Sequence, residues 1–270
     1  MIYYSEIQSA SVQNGVSIEV IEKDYHLEWY LSALWEHPII SSFLFYGGTA
    51  IKKLFLPKHR FSEDIDLISG KRFSIQELKA ALFKIHEALQ NHANLFFFWE
   101  DSEIKTLGTQ TRFLIHYRGF SEVGGMKRFL LDFAQGIESL PEPVEKTLIA
   151  SYRDLRDRSI SIKTLPLEVI CAEKLALITD RKRKEPRDVY DLWAVFRNMK
   201  KFDSKLFFSR YQWRLSYVPE LSIIQSTLKD SVYESAWEHR LRYQVPALPK
   251  YDLVVMELVE FLRKIWPIRK

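Results

Sequence analysis

The sequence predicts an α/β fold of the α+β kind, a mixed sheet flanked by helices, followed by a C-terminal helical domain. Three observations lead to it. An apolar run, Phe43 to Tyr46, breaks at Gly47-Gly48, gives way to a helix-forming stretch and returns as Arg60 to Ile68 with strand alternation. Aromatic and branched segments between Leu95 and Phe133 read as two or three antiparallel strands. Beyond them, apolar residues recur at helical spacing. The expected division is 1–140 and 141–270, with the linker at Gly136 to Val144, where two prolines interrupt regular structure.

Composition narrows the function classes. At 270 residues the chain can bury a substantial core, and 47% hydrophobic with 27% charged residues argues against long disordered regions. Aromatics, at 14%, offer base-stacking platforms, although packing explains most of them. A formal net charge of +4 permits an anionic substrate without identifying a nucleic-acid binder. The single cysteine, Cys171, excludes an internal disulfide and a Cys-rich zinc site, and reads as a small buried side chain. No histidine pattern has metal-ligand spacing, and no serine sits in a Gly-x-Ser-x-Gly elbow. The start lacks a basic region followed by an apolar run, and no window approaches the ~18 apolar residues of a membrane span. A cytoplasmic protein with no membrane partner is the expectation.

Residues from Ile2 to Trp35 read as helices, with Ser17 as cap of the second. Asp24 on that helix reads first as a surface ion pair, and alternatively as a partner of a basic residue near a bound nucleotide. After the Gly47-Gly48 turn, Thr49 opens a helix that runs through Leu56 until Pro57 stops it. In the strand that follows, Asp64 and Asp66 share one face, with Cα atoms ~6.5 to 7 Å apart. Two such carboxylates repel, and a divalent cation between them removes the penalty; oxygen ligands favour Mg²⁺. Backbone N–H groups of Gly48 and Thr49, with the Thr49 hydroxyl, can hold phosphates whose oxygens the metal also binds. Ser74 caps a helix from Ile75 to Asn91 with Leu78, Leu82, Ile85 and Leu89 on one face. Strands Leu95 to Glu100 and Thr111 to Tyr117 precede a turn at Gly124-Gly125, and the next strand carries Asp132. Helices are expected from Leu167 to Thr179 and from Pro186 to about Met199, where Asp188 and Asp191 stand at i and i+3 and Arg187 can reach Asp191 at i+4. These three residues either carry chemistry or simply tie the two helices together, and for Asp188 the two readings are equally good. The run Arg181 to Arg187 carries five basic side chains, either solvated or able to follow an RNA backbone. Lys200 to Lys270 reads as helical, and its basic end, Arg263, Lys264, Arg269 and Lys270, could line an acceptor groove.

The stretch GGTAIKKLFLPKHRFSEDIDL, from Gly47 to Leu67, resembles the GGTAL and RxSxDIDL signature of the AbiEii-type nucleotidyltransferase toxins. These are the enzymatic halves of bacterial abortive-infection and toxin–antitoxin pairs, related to the MenT toxins and polymerase-β-like in fold. VIEKDYHLEWYL resembles the family's N-terminal segment, and the stretch from Leu167 to Leu192 resembles its AEKL … PRDxxDL element. The resemblance covers most of Ser17 to Asn198 and implies a polymerase-β-like nucleotidyltransferase fold. It implies transfer of NMP from an NTP substrate, with Asp64, Asp66 and Asp132 holding two Mg²⁺ ions. Lys174 is then the lysine at the triphosphate and Asp191 the acidic residue of the cleft between the domains, with Asp188, Arg187 and Asp24 close behind. Gly47, Gly48, Thr49, Arg60 and Ser62 surround the phosphates. The implied acceptor is the 3′ end of tRNA, and the implied partner is a cognate antitoxin.

Three readings compete: an enzyme modifying RNA, the same chemistry on a protein or small molecule, and a nucleotide-binding module without catalysis. The joint presence of Asp64, Asp66, Lys174 and Asp191 counts against the third.

Overall fold

The structure is a computed structural model that describes residues 1–120, 125–180 and 183–267. It divides into two compact units, Met1–Leu165 and Pro166–Lys270. The first opens with helices α1 (Tyr4–Asn14) and α2 (Ile18–Leu34), followed by strand β1 (Leu44–Tyr46) and helix α3 (Gly47–Ala50). After α3 come β2 (Asp64–Ile68), α4 (Ile75–Ala93), β3 (Phe97–Phe98), β4 (Lys105–Leu107), β5 (Gln110–Arg118), β6 (Met126–Ala134), β7 (Val144–Thr147) and β8 (Ser161–Thr164). The strands form one mixed sheet in the order β3-β5-β6-β2-β1-β8-β7, with β4 also on β5. β2 lies antiparallel to β1 and parallel to β6, so the strand carrying Asp64 and Asp66 is central.

Local sequence explains most of these elements. Ser74 and Glu77 form a reciprocal capping box at the start of α4, and Leu78, Leu82, Ile85 and Leu89 are buried as their spacing requires. The helix after β1 departs from expectation. It begins at Gly47, two residues before Thr49, and from Ile51 to Phe55 it winds as a π-helix, the Leu56 N–H reaching the Ile51 carbonyl at 2.8 Å. This winding leaves Lys52 and Lys53 both buried. The strand expected from Arg60 begins only at Asp64. Side chains take the preceding carbonyls: Lys52 Nζ donates to Pro57 and His59, and Arg60 Nη1 to Phe61. Of the expected Gly124-Gly125 turn, Gly124 lies outside the described residues.

The first unit extends past the expected boundary at 140/141. After the linker prolines the chain forms β7 and β8, and β8 adds to the sheet parallel to β1. The Thr164 hydroxyl and the Leu165 N–H both donate to the Phe45 carbonyl, at 2.6 and 3.2 Å, which ties this segment to β1. The second unit is helical: α5 (Leu167–Thr179), α6 (Pro186–Asn198), α7 (Ser204–Leu215), α8 (Leu221–Leu228), α9 (Ser231–Leu241) and α10 (Tyr251–Ile265). Pro186 occupies the first turn of α6, where its missing N–H costs nothing. Stacked rings of Phe196 and Phe261, 4.1 Å apart, join α6 to α10.

α2 is almost entirely enclosed, including its charged residues. Lys53 Nζ lies 2.8 Å from Asp24 Oδ2 and 2.6 Å from Glu28 Oε2, all three side chains buried, and Tyr152 donates its hydroxyl to Asp24 at 2.9 Å. Asp24 is therefore in an ion pair, but in the interior rather than on a helix surface. Glu28 also accepts the Ser151 N–H at 2.8 Å. Burial pushes the Glu28 carboxyl up from its ordinary range, while Lys53 opposes that rise. Removing one member of such a cluster strands the others. Lys53→Met should cost about 3 to 5 kcal/mol of unfolding free energy in urea titrations; a loss under about 1 kcal/mol would contradict this account of α2.

Candidate active site

Register builds the site. Tyr46 at the end of β1 pairs with Asp66 on β2, so the chain leaving β1 at Gly47 turns directly over that carboxylate. Gly47 adopts φ +83°, and a Cβ there would stand 2.2 Å from Asp66 Oδ2. A Cβ on Gly48 would meet Arg60 Nη2 at 2.6 Å and Ser62 Oγ at 3.2 Å. The Gly-Gly turn thus brings Asp66, Arg60 and Ser62 against one stretch of backbone, and at Gly47 the positive φ and the Asp66 carboxylate together favour glycine. Thr49 is buried, and its hydroxyl, expected at the phosphates, donates to the Asp64 carbonyl and ties α3 to β2.

The third carboxylate arrives by strand pairing. Asp132 on β6 stands opposite Asp66 in the parallel register, and Asp64, two residues back on β2, shares that face. On the far side of Asp132, β5 places Arg112 directly opposite it. Arg112 grips Asp132 with both prongs, Nε to Oδ1 at 2.6 Å and Nη2 to Oδ2 at 2.7 Å. That bond, with the fields of Asp64 and Asp66, raises the guanidinium's affinity for its proton. Among the described residues no three His, Cys, Asp or Glu side chains converge as a ready metal cage. The donor chemistry nevertheless suits a hard cation, since Asp64, Asp66 and Asp132 offer carboxylate oxygens and a cationic side chain already stands among them.

Behind the turn, Lys52 anchors the loop that carries Arg60 and Ser62. Its ammonium bonds two loop carbonyls and lies 3.9 Å from the centre of the Phe61 ring. Burial pulls its pKa down to about 8, partly offset by Asp24 and Glu28. Neither Lys52, Lys53 nor Arg112 is evident as a site residue from sequence alone. The available signal for Arg112 is alternation: it falls between inward-facing Thr111 and Phe113, on the open face of β5.

Within the helical unit, Lys174 on α5 inserts between two carboxylates of α6. Its Nζ lies 2.9 Å from Asp188 Oδ1 and 2.6 Å from Asp191 Oδ2, and all three side chains are buried. The i, i+3 spacing of the aspartates makes this double contact possible. Arg187 lies against Glu185, Nε to Oε1 at 3.2 Å. Asp188 Oδ2 has no hydrogen-bond partner among the described residues, with Arg183 Nη2 3.8 Å away. The basic run is therefore partly engaged: Lys184 pairs with Asp230, while Arg181 and Lys182 lie outside the described residues, as do Arg269 and Lys270 at the basic end.

Residues 29–260 match the family described as "Nucleotidyl transferase AbiEii toxin, Type IV TA system". The chain belongs to the AbiEii nucleotidyltransferase toxin family. No curated protein matches it. The fold is similar to that of MenT4, a nucleotidyltransferase toxin from Mycobacterium tuberculosis H37Rv, with TM-score 0.67 at 13% identity, covering 100% of this chain and 91% of the other. The family makes this chain a nucleotidyltransferase, with NTP as substrate and a toxin's place in a toxin–antitoxin pair. Among the described residues, no helix is long and apolar enough to cross a membrane.

The contact between Gly47 and Asp66 gives a direct test. Gly47→Ala should lower NMP transfer by at least about tenfold, by displacing the Asp66 carboxylate and straining a positive φ. Wild-type turnover in a correctly folded variant would show that the close approach is dispensable.

Proposed function

We propose that this toxin is a Mg²⁺-dependent enzyme that transfers NMP from an NTP to the 3′ end of tRNA, acting in the cytoplasm and restrained by a cognate antitoxin. The observation that carries the catalytic part is the row of Asp64, Asp66 and Asp132 on one face of adjacent strands, beside a Gly-Gly turn whose backbone Asp66, Arg60 and Ser62 approach closely. Asp64, Asp66 and Asp132 would hold Mg²⁺, which supplies Lewis-acid polarisation of phosphoryl oxygens when bound.

The remaining steps belong to the chain. Gly47 and Gly48 with Thr49 shape the backbone that receives the triphosphate, and Arg60 and Ser62, in contact with Gly48, orient phosphate or hold the loop. For Lys174, which Asp191 and Asp188 hold within the helical unit, the role at the triphosphate rests on the resemblance of the signature motifs alone. Family membership is what supports a toxin with an antitoxin, and the resemblance of the signature motifs supports tRNA as acceptor.

Incubation of the full chain with Mg²⁺, each α-³²P-labelled NTP and total cellular RNA tests this reading. Label should enter a tRNA-sized band with wild type and not with Asp64→Ala/Asp66→Ala. Label on protein would move the acceptor to a side chain, and transfer to no acceptor would contradict the catalytic reading.

A further inference from the structure

We propose that Arg112 is a positioning residue of this site that exchanges between two anions: Asp132 while the site lacks nucleotide, and the triphosphate once nucleotide arrives. Cation binding at Asp132 thereby depends on nucleotide binding. The inference rests on the reading that Asp64, Asp66 and Asp132 hold a divalent cation.

The geometry carries the argument. Both oxygens of Asp132 are engaged by Arg112, at 2.6 and 2.7 Å, so a cation that approaches Asp132 competes with the guanidinium for this carboxylate. A guanidinium does not shed its proton, so it cannot yield by becoming neutral; it yields by moving into solvent or onto another anion, and a triphosphate offers the stronger partner. Its position makes exchange feasible. The Arg112 side chain is 47% exposed and that of Asp132 25%, unlike the buried Lys53 pairs, and half-exposed ion pairs are weak. On the other flank of β5, Lys105 stands opposite Arg112 in register, so like charge disfavours retreat toward β4 and keeps the guanidinium over the acidic row. The planar fork that fits a carboxylate also fits a phosphate.

The exchange follows from these constraints. Without nucleotide, Arg112 compensates the charge of Asp132 and weakens the site for divalent cations. The triphosphate draws the guanidinium away, and Asp132 is released to the cation that the phosphates bring with them. No bond is made or broken in this step. Linkage makes the coupling reciprocal: if bound nucleotide tightens the cation by releasing Asp132, bound cation tightens the nucleotide by the same factor.

The full chain, wild type and Arg112→Gln, tests this with two equilibrium measurements that need no turnover. Mn²⁺ binding without nucleotide, followed by electron paramagnetic resonance of the free ion, should tighten about tenfold in Arg112→Gln. Binding of an α,β-methylene ATP analogue in EDTA, followed calorimetrically, should weaken severalfold, since Arg112→Gln removes the charged fork that takes the phosphate. Arg112→Lys, which keeps the charge but loses the fork, should fall between wild type and Arg112→Gln in both. Mn²⁺ affinity that is unchanged or weaker in a folded Arg112→Gln, or unaltered analogue binding, would overturn the proposal. Asp64→Asn/Asp66→Asn separates the two readings: if it binds Mn²⁺ as tightly as wild type, the metal reading fails and the role of Arg112 fails with it.

Discussion

Carboxylates held close together resist folding unless positive charge compensates them, and this constraint governs the sheet unit. Asp64, Asp66 and Asp132 share one face of β2 and β6, and the surrounding structure answers that concentration of charge. Arg112 comes from the next strand at the matching register position, and the backbone of Gly47 passes so close to Asp66 that no side chain fits between them. The strand order places β2 centrally between β1 and β6, where the turn after β1 and the third aspartate can both reach it.

A site of this kind needs a stiff support, and the interior behind it provides one through polar bonds as well as apolar packing. Lys53, in the π-wound segment after the turn, is bonded to Asp24 and Glu28 of α2, and Thr49 is bonded to the backbone of β2. Lys52 holds the loop before β2 by its carbonyls. Consecutive lysines facing inward are unusual for a regular helix end, and the π-winding accommodates them. The cluster around Lys53 and the exposed pair of Arg112 and Asp132 contrast physically. Breaking the first leaves buried charge behind, whereas the second can open into solvent or onto a ligand.

Much of this was legible in the sequence because it depends on local chemistry. The Gly-Gly turn, the alternation that puts Asp64 and Asp66 on one side, the Ser74 capping box and the stripe of α4 each follow from short-range rules. The placement of Asp132 beside Asp66 came through family resemblance, since strand neighbours separated by more than sixty residues cannot be derived from spacing alone. What escaped was long-range or irregular. Nothing local distinguishes Asp24 as a buried partner of Lys53, predicts a π-helix at Ile51 or sets Arg112 opposite Asp132. A proline-rich segment looks like a linker whether or not the chain afterwards returns to the sheet, as it does through β7 and β8.

The most direct measurement is anomalous diffraction from crystals grown with Mn²⁺ and a non-hydrolysable NTP analogue. The account predicts an anomalous peak coordinated by Asp64 and Asp66, with Asp132 turned toward it and Arg112 moved from Asp132 to a phosphate. Mn²⁺ bound away from these aspartates, with analogue present and Arg112 still on Asp132, would contradict it.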